Sequence, residues 1–155
     1  MYSGFELCEA DPLPGREEYS DSEKYEIKFR DWNAPGNINR EIAFLNRIRR
    51  SEPALQTHLG TTFYNAFNDN IIYFGRHSGR SSDRILIAIS LNPHGPEEAD
   101  FEIPLWEWGL PDSGALLAQD LLRGGSFVWH GKMQWMRLTP AAPYAIWRVQ
   151  PAETQ

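Results

Sequence analysis

An all-β fold, an antiparallel sandwich preceded by a loop and one α-helix, is what this sequence predicts. Three observations carry that reading. Eight short apolar runs follow one another between Thr61 and Val149, each closed by turn residues. No helical stretch separates them, which argues against a parallel α/β sheet. A single segment ahead of them, "EIAFLNRIRRSEPALQ" (Glu41 to Gln56), carries the apolar period of a helix.

The first 26 residues are strongly acidic, with Glu6, Glu9, Asp11, Glu17, Glu18, Asp21, Glu23 and Glu26 set against Arg16 and Lys24. "EADPLPGREEYSDSEKYE" has two prolines, a glycine and no periodicity, and reads as a long loop. "GFEL" ahead of it reads as the tail of a strand. In "NAPGN" the residue suited to cap a helix is Asn37. Ile38, Ile42, Leu45 and Ile48 then recur at spacings of four, three and three, one stripe of a 3.6-residue period. Arg47, Arg49 and Arg50 fall in the last turn, where cations suit the helix dipole, and Pro53 forbids continuation. One stripe requires one partner surface: the sandwich, or a second copy of the chain.

After the helix the period changes to two. Strands are predicted near Thr61–Phe67, Ile71–Arg76, Ile85–Asn92, Phe101–Leu105, Leu116–Leu121, Phe127–Trp129, Gln134–Leu138 and Tyr144–Val149. "NAFNDNIIYF" reads as a hairpin across Asn68-Asp69 and "FVWHGKMQWM" as another across Gly131-Lys132. In "PYAIWRV", Ala145, Trp147 and Val149 share one side and Tyr144, Ile146 and Arg148 the other. Trp147 is the larger anchor, so its side is expected in the core.

The composition narrows the partners. The chain has 155 residues, 41% of them apolar, and a formal net charge of −6. That is enough apolar residue for a core. The acidic balance argues against nucleic acid and against an anionic membrane surface as partners. The one cysteine, Cys8, cannot form a disulfide within the chain, and a reducing, cytoplasmic setting is expected. Cys8 reads as a small buried hydrophobe, with a nucleophile as the sharper alternative.

Candidate chemistry is sparse. His58, His77, His94 and His130 stand apart from one another and from Cys8, so no metal is expected. Glu97-Glu98 after Pro96 read as solvated turn charges, and Ser81-Ser82 have no evident base. No phosphate-binding or nucleophile-elbow motif is present, so no cofactor is expected and no residue is assigned a catalytic role. Six tryptophans are many for this length. Trp135 and Trp147 read as core. Trp106 and Trp108, in "LWEWG", fall on one face by alternation and are the best candidates for an exposed sugar-stacking pair.

Four segments carry a resemblance: "YSGFELCE", "YSDSEKYEIKFRDW", "PGNINREIAFLNRIRRSEPALQ" and "LTPAAPYAIWRV". Together they resemble the C-terminal end of the α-amylase superfamily, and more narrowly the bacterial maltosyltransferases that use maltose 1-phosphate to extend α-1,4-glucan. The resemblance implies two parts. Residues 1–53 would be the end of a catalytic (β/α)₈ barrel: Tyr2–Glu9 the exit of its eighth strand, an acidic loop, and Asn37–Arg50 its last helix. Residues 54–155 would be the C-terminal sandwich. The chain would begin inside an element, and the rest of the barrel would be the partner on which the helix stripe packs. The family's catalytic carboxylates lie upstream of anything here, so the chain would not be catalytic alone. The segment matching "SEKY" lies near the donor-sugar subsites in that family, which makes Lys24 and Tyr25, with Glu23 behind them, the substrate-binding candidates. α-Glucan or maltose 1-phosphate would be the ligand of the intact enzyme, and a homodimer is a further expected partner. A stand-alone carbohydrate-binding module, or a structural or oligomerising sandwich, is the competing reading.

Overall fold

The computed structural model describes residues 4–16, 27–79 and 83–152. The chain divides into two compact units, Met1–Ile48 and Arg49–Gln155.

In the first unit, the strand expected in "GFEL" is not formed. Phe5–Leu7 is a single 3₁₀ turn. Its flanks explain this: Gly4 (φ 98°) and Cys8 (φ 55°) are both left-handed, which no extended run tolerates. A Cβ on Gly4 would lie 2.5 Å from a carboxylate oxygen of Glu9. That carboxylate instead accepts from Nε of Arg30, at 3.1 and 3.2 Å. The N–H of Ile38 donates to the Glu6 carbonyl at 2.8 Å. Asn37 behaves as the sequence suggests. Its Oδ1 accepts from the Asn39 N–H at 3.1 Å, and its Nδ2 donates to the Ala34 carbonyl at 2.7 Å. The helix α1 then runs Asn39–Ser51. Its apolar stripe is unevenly covered, from 7% exposure at Ile48 to 37% at Leu45.

The second unit is a sandwich of two antiparallel sheets. Its strands are β1 (Thr61–Phe63), β2 (Ile71–His77), β3 (Arg84–Ser90), β4 (Glu97–Glu102), β5 (Ala115–Asp120), β6 (Ser126–His130), β7 (Met133–Leu138) and β8 (Tyr144–Pro151). Six form one sheet in the order β1-β2-β3-β8-β5-β6, and β4 and β7 form the other. Alternation places Tyr73, Leu86, Leu116, Trp129, Ala145, Trp147 and Val149 on the inner face of the large sheet and Ala99, Phe101, Met136 and Leu138 on that of the small one. Phe101, 1% exposed, is the joint between them. Its ring stacks on Trp147 (6.1 Å, 4° between planes) and meets Tyr73 and Trp129 edge-on at 5.2 and 5.6 Å.

Two strands and both hairpins differ from expectation: Asn65 and Phe67 hydrogen-bond to β4 and not to β2, so no hairpin closes across Asn68-Asp69. β1 stops at Phe63, four residues early. The N–H of Tyr64 still donates to Tyr73, but Ala66 bridges Phe101 of the other sheet. Where the chain changes sheets, the Tyr64 ring occupies the space above Gly75, where a Cβ would come within 2.6 Å of it. β4 starts earlier than expected, at Glu97, in register with β7, and it ends earlier because the buried Pro104 has no N–H for a ladder and opens a 3₁₀ turn, Leu105–Trp108. "FVWHGKMQWM" is not a hairpin: β6 pairs with β5 and β7 with β4, so Gly131-Lys132 is a corner between sheets. Its backbone is satisfied by Gly114 and Asp112.

Both faces of the central strand β8 are covered. Trp147 faces inward as expected. The outer face carries Ile85 and Ile146, 1% and 6% exposed, and a 3₁₀ turn, Pro53–Leu55, lies against β2 and β3 with Ala54 buried. Beside it the guanidinium of Arg148 donates to both carboxylate oxygens of Glu52 and, at 2.7 Å, to Oε1 of Gln119. The Glu52 side chain is 5% exposed, so this pair is what makes its burial tolerable.

Trp147→Ala is expected to cost about 3–5 kcal/mol, as for large core aromatics. Trp135→Ala should stay within about 0.5 kcal/mol, because that ring contributes no core contact. Urea melts of the two variants check this; equal losses would refute the assignment of inner and outer faces.

Candidate functional site

The sequence-predicted residues Glu23, Lys24 and Tyr25 lie outside the described residues, as do Ser81 and Ser82. Among the described residues no group of three His, Cys, Asp or Glu side chains could hold a metal ion, and no helix is long and apolar enough to cross a membrane. Cys8 is exposed, not buried, because it sits at the left-handed end of a surface turn. His58, His94 and His130 are exposed, and His77 accepts a local N–H from Gly79 at Nδ1.

The aromatic candidates are rearranged. Trp106 and Trp108 do not share a face, since they lie in a 3₁₀ turn and not a strand. Trp108 is half-buried against the core with the Arg84 guanidinium 5.0 Å above its ring. Trp106 is 49% exposed, but Lys132 Nζ lies 5.6 Å over its ring and Tyr64 meets it edge-on at 5.9 Å. Trp135, expected in the core, points outward and is 59% exposed.

The outer face of the small sheet collects these features. The bridge between Ala66 and Phe101 and the β4–β7 register order it in rows. One row reads Phe67, Asp100, Trp135, and the next reads Asn65, Glu102, Met133. Phe67 is 63% exposed and its N–H donates to the Asp100 carbonyl. Glu102 accepts from Nδ2 of Asn65 at 3.0 Å and pairs with Lys132 at 3.1 Å, contacts that hold its carboxyl below the usual range, the amide's first. Glu98 pairs with Arg137 at 3.4 Å. Glu97 is not a loose solvated charge. It opens β4, and donors from Asn92, Asn68 and Asn70 lower its pKa. The face is therefore a rigid surface of two exposed rings flanking a carboxylate, with fixed acceptors and donors around it.

Beneath its edge, Tyr64 donates to Glu107 at 3.3 Å and Glu107 pairs with Arg84 at 2.8 Å. Burial, reinforced by Glu107, pushes the Tyr64 phenol up to about 12. Burial pushes Tyr73 well above its ordinary value, and its hydroxyl has no hydrogen-bond partner among the described residues. A separate cavity of about 220 Å³ is lined by Ser51, Glu52, Pro53, Ala54, Asp83 and Arg148. Its charges are engaged with one another, which marks it as part of the framework.

A protein-family profile described as "GLGE, C-terminal" matches residues 63–149. The alpha-1,4-glucan:maltose-1-phosphate maltosyltransferase of Pseudomonas aeruginosa is 60% identical over 97% of this chain and 23% of its own length. Proteins of the same name from Cereibacter sphaeroides and Burkholderia pseudomallei are 44% and 48% identical over 96% and 98% of this chain, and 22% and 14% of their own lengths. The chain thus spans less than a quarter of the curated relatives it matches.

The raised tyrosines set an alkaline limit. A folded pKa above the unfolded value of about 10 means the contribution is intact below pH 10 and is lost as pH rises through the folded value. Stability is therefore expected to fall between about pH 10 and 12. Tyr73→Phe should flatten that fall and change neutral-pH stability by less than about 1 kcal/mol, since no hydrogen bond is removed. Urea melts across this pH range test it; an unchanged alkaline slope in the variant would contradict it.

Proposed function

The chain belongs to the GLGE C-terminal family, and on that premise we propose that it is the C-terminal region of a retaining α-1,4-glucan:maltose-1-phosphate maltosyltransferase, not catalytic alone. The observation that carries this reading is the 60% identity to the Pseudomonas aeruginosa maltosyltransferase across 97% of the chain. In this reading residues 1–53 complete a catalytic barrel and residues 54–155 form the sandwich that supports it. The barrel supplies the nucleophile and the acid/base. The intact enzyme works in the cytoplasm on α-glucan and maltose 1-phosphate.

The surface of the first unit is consistent with a missing neighbour. Ile27 and Phe29 are 90% and 97% exposed, and Trp32 and Leu45 are each more than a third exposed. Burying such side chains is worth roughly 1.5–3 kcal/mol each, so leaving them wet is unfavourable. A barrel wall is the occupant this reading gives them; a homodimer contact is the other. Lys24 and Tyr25, with Glu23, remain the proposed donor-sugar contacts. Their chemistry suits the role: an ammonium donor for hydroxyls, and a ring with a phenolic handle.

The test uses the chain alone and in place of the matching region of the Pseudomonas relative. The chain alone should release no phosphate from maltose 1-phosphate with glycogen as acceptor. The chimera should release it, and deletion of the region should abolish it. In the chimera, Lys24→Ala or Tyr25→Ala should raise KM for maltose 1-phosphate about tenfold, or 1.4 kcal/mol, with little loss of thermal stability. Phosphate release by the chain alone, or an inactive but folded chimera, would sink the reading.

A further inference from the structure

We propose that the outer face of the β4–β7 sheet is a binding surface for α-1,4-glucan chains, centred on Phe67 and Trp135 with Asp100 between them. The choice of this glucan rests on the function proposed above; the choice of a carbohydrate rests on the surface itself.

Both rings stand out of phase with the core. In β7, Met136 and Leu138 are buried while Trp135 is 59% exposed, and Phe67 is 63% exposed beside Ala66, which packs on the core. Neither ring makes a ring–ring or cation–π contact among the described residues, unlike Trp106, and Arg137, which follows Trp135 on this face, is paired with Glu98. They are separated by two strand spacings, roughly 9.5 Å. A ligand spanning them must meet each ring with an apolar face and present hydroxyls to what lies between. Asp100, exposed and with no ion pair among the described residues, lies there. Glu102 and Asn65 occupy the next row, their positions fixed by each other and by Lys132.

Sugar rings satisfy this pattern: their C–H faces stack on aromatic rings, and their hydroxyls donate to carboxylates. Other partners fit less well. Glu98 and Glu102 are offset by Arg137 and Lys132, which leaves the carboxylate of Asp100 as the uncompensated charge, a poor match for nucleic acid or anionic lipid. A protein interface depletes charge at its centre, whereas here a carboxylate sits between the two rings. The surface is also preformed, since all three segments are held by backbone ladders, so a ligand need not order it.

Affinity electrophoresis of the whole chain in gels containing amylopectin, with dextran as control, tests the proposal. Amylopectin should retard the chain and dextran should not. Trp135→Ala and Phe67→Ala should each weaken binding about tenfold or more, with thermal melts superimposable on the parent. Phe63→Ala, which removes an exposed ring from the other sheet, should leave retardation unchanged. No retardation of the parent chain, equal retardation by dextran, or parent-like retardation of both ring variants would overturn the proposal. A chimera that releases phosphate beside a chain that is not retarded would defeat this inference and leave the proposed function standing. A retarded chain beside an inactive folded chimera would do the reverse.

Discussion

The fold hangs on the contact of Phe101 with Trp147, Trp129 and Tyr73. A two-stranded sheet is marginal on its own in water, so β4 and β7 persist only because their inner face is buried. Phe101 is the centre of that burial, and its four-ring cluster draws on three strands of the large sheet. Each edge-on or offset contact adds roughly 0.5–1.5 kcal/mol beyond the area it covers. The orthogonal approach of Tyr73 and Trp129 to a stacked Phe101–Trp147 pair also fixes where the small sheet sits.

The large sheet meets a different demand. A strand in the middle of a sandwich ordinarily wets one face, yet β8 is covered on both. Ile85 and Ile146 lie on the outer face, where Ala54 is held by the turn that follows α1. That turn carries Glu52, whose carboxylate would be costly to bury unpaired. Arg148 projects from the same outer face, half in solvent, and takes both oxygens. The ion pair thus positions the turn more than it strengthens the sheet, since exposure of the guanidinium limits its net worth.

What the sequence disclosed follows from how local each signal is. The helix was legible because Ile38, Ile42, Leu45 and Ile48 repeat within one element, and its cap because Asn37 acts on a residue two positions away. The strand cores were legible from period two, including the inward Ala145, Trp147 and Val149. The sheet changes at Ala66 and Gly131 were not, because they depend on distant facts: the bridge from Ala66 to Phe101, and backbone acceptors offered by Gly114 and Asp112. Phe5–Leu7 forms a turn and not a strand because of the left-handed angles at Gly4 and Cys8, which the pattern of "GFEL" does not encode. At the candidate surface, Trp106 and Trp108 were paired by alternation where Pro104 forbids a strand. Trp135 carried a usable signal that aromatic content alone obscured: it is out of phase with Met136 and Leu138.

That phase relation ties stability to recognition. In β4 the inward residues are Ala99 and Phe101, and the outward ones are Glu98, Asp100 and Glu102. In β7 the inward residues are Met136 and Leu138, and the outward ones are Trp135 and Arg137. A slip of one residue would exchange every one of these, burying carboxylates and exposing Phe101. The cost of that exchange fixes the register, and the register together with the Ala66–Phe101 bridge puts Asp100 between Phe67 and Trp135. The rings are free to be exposed because the residues that alternate with the outward ones along β4 and β7, Ala99, Phe101, Met136 and Leu138, are buried and hold the sheet.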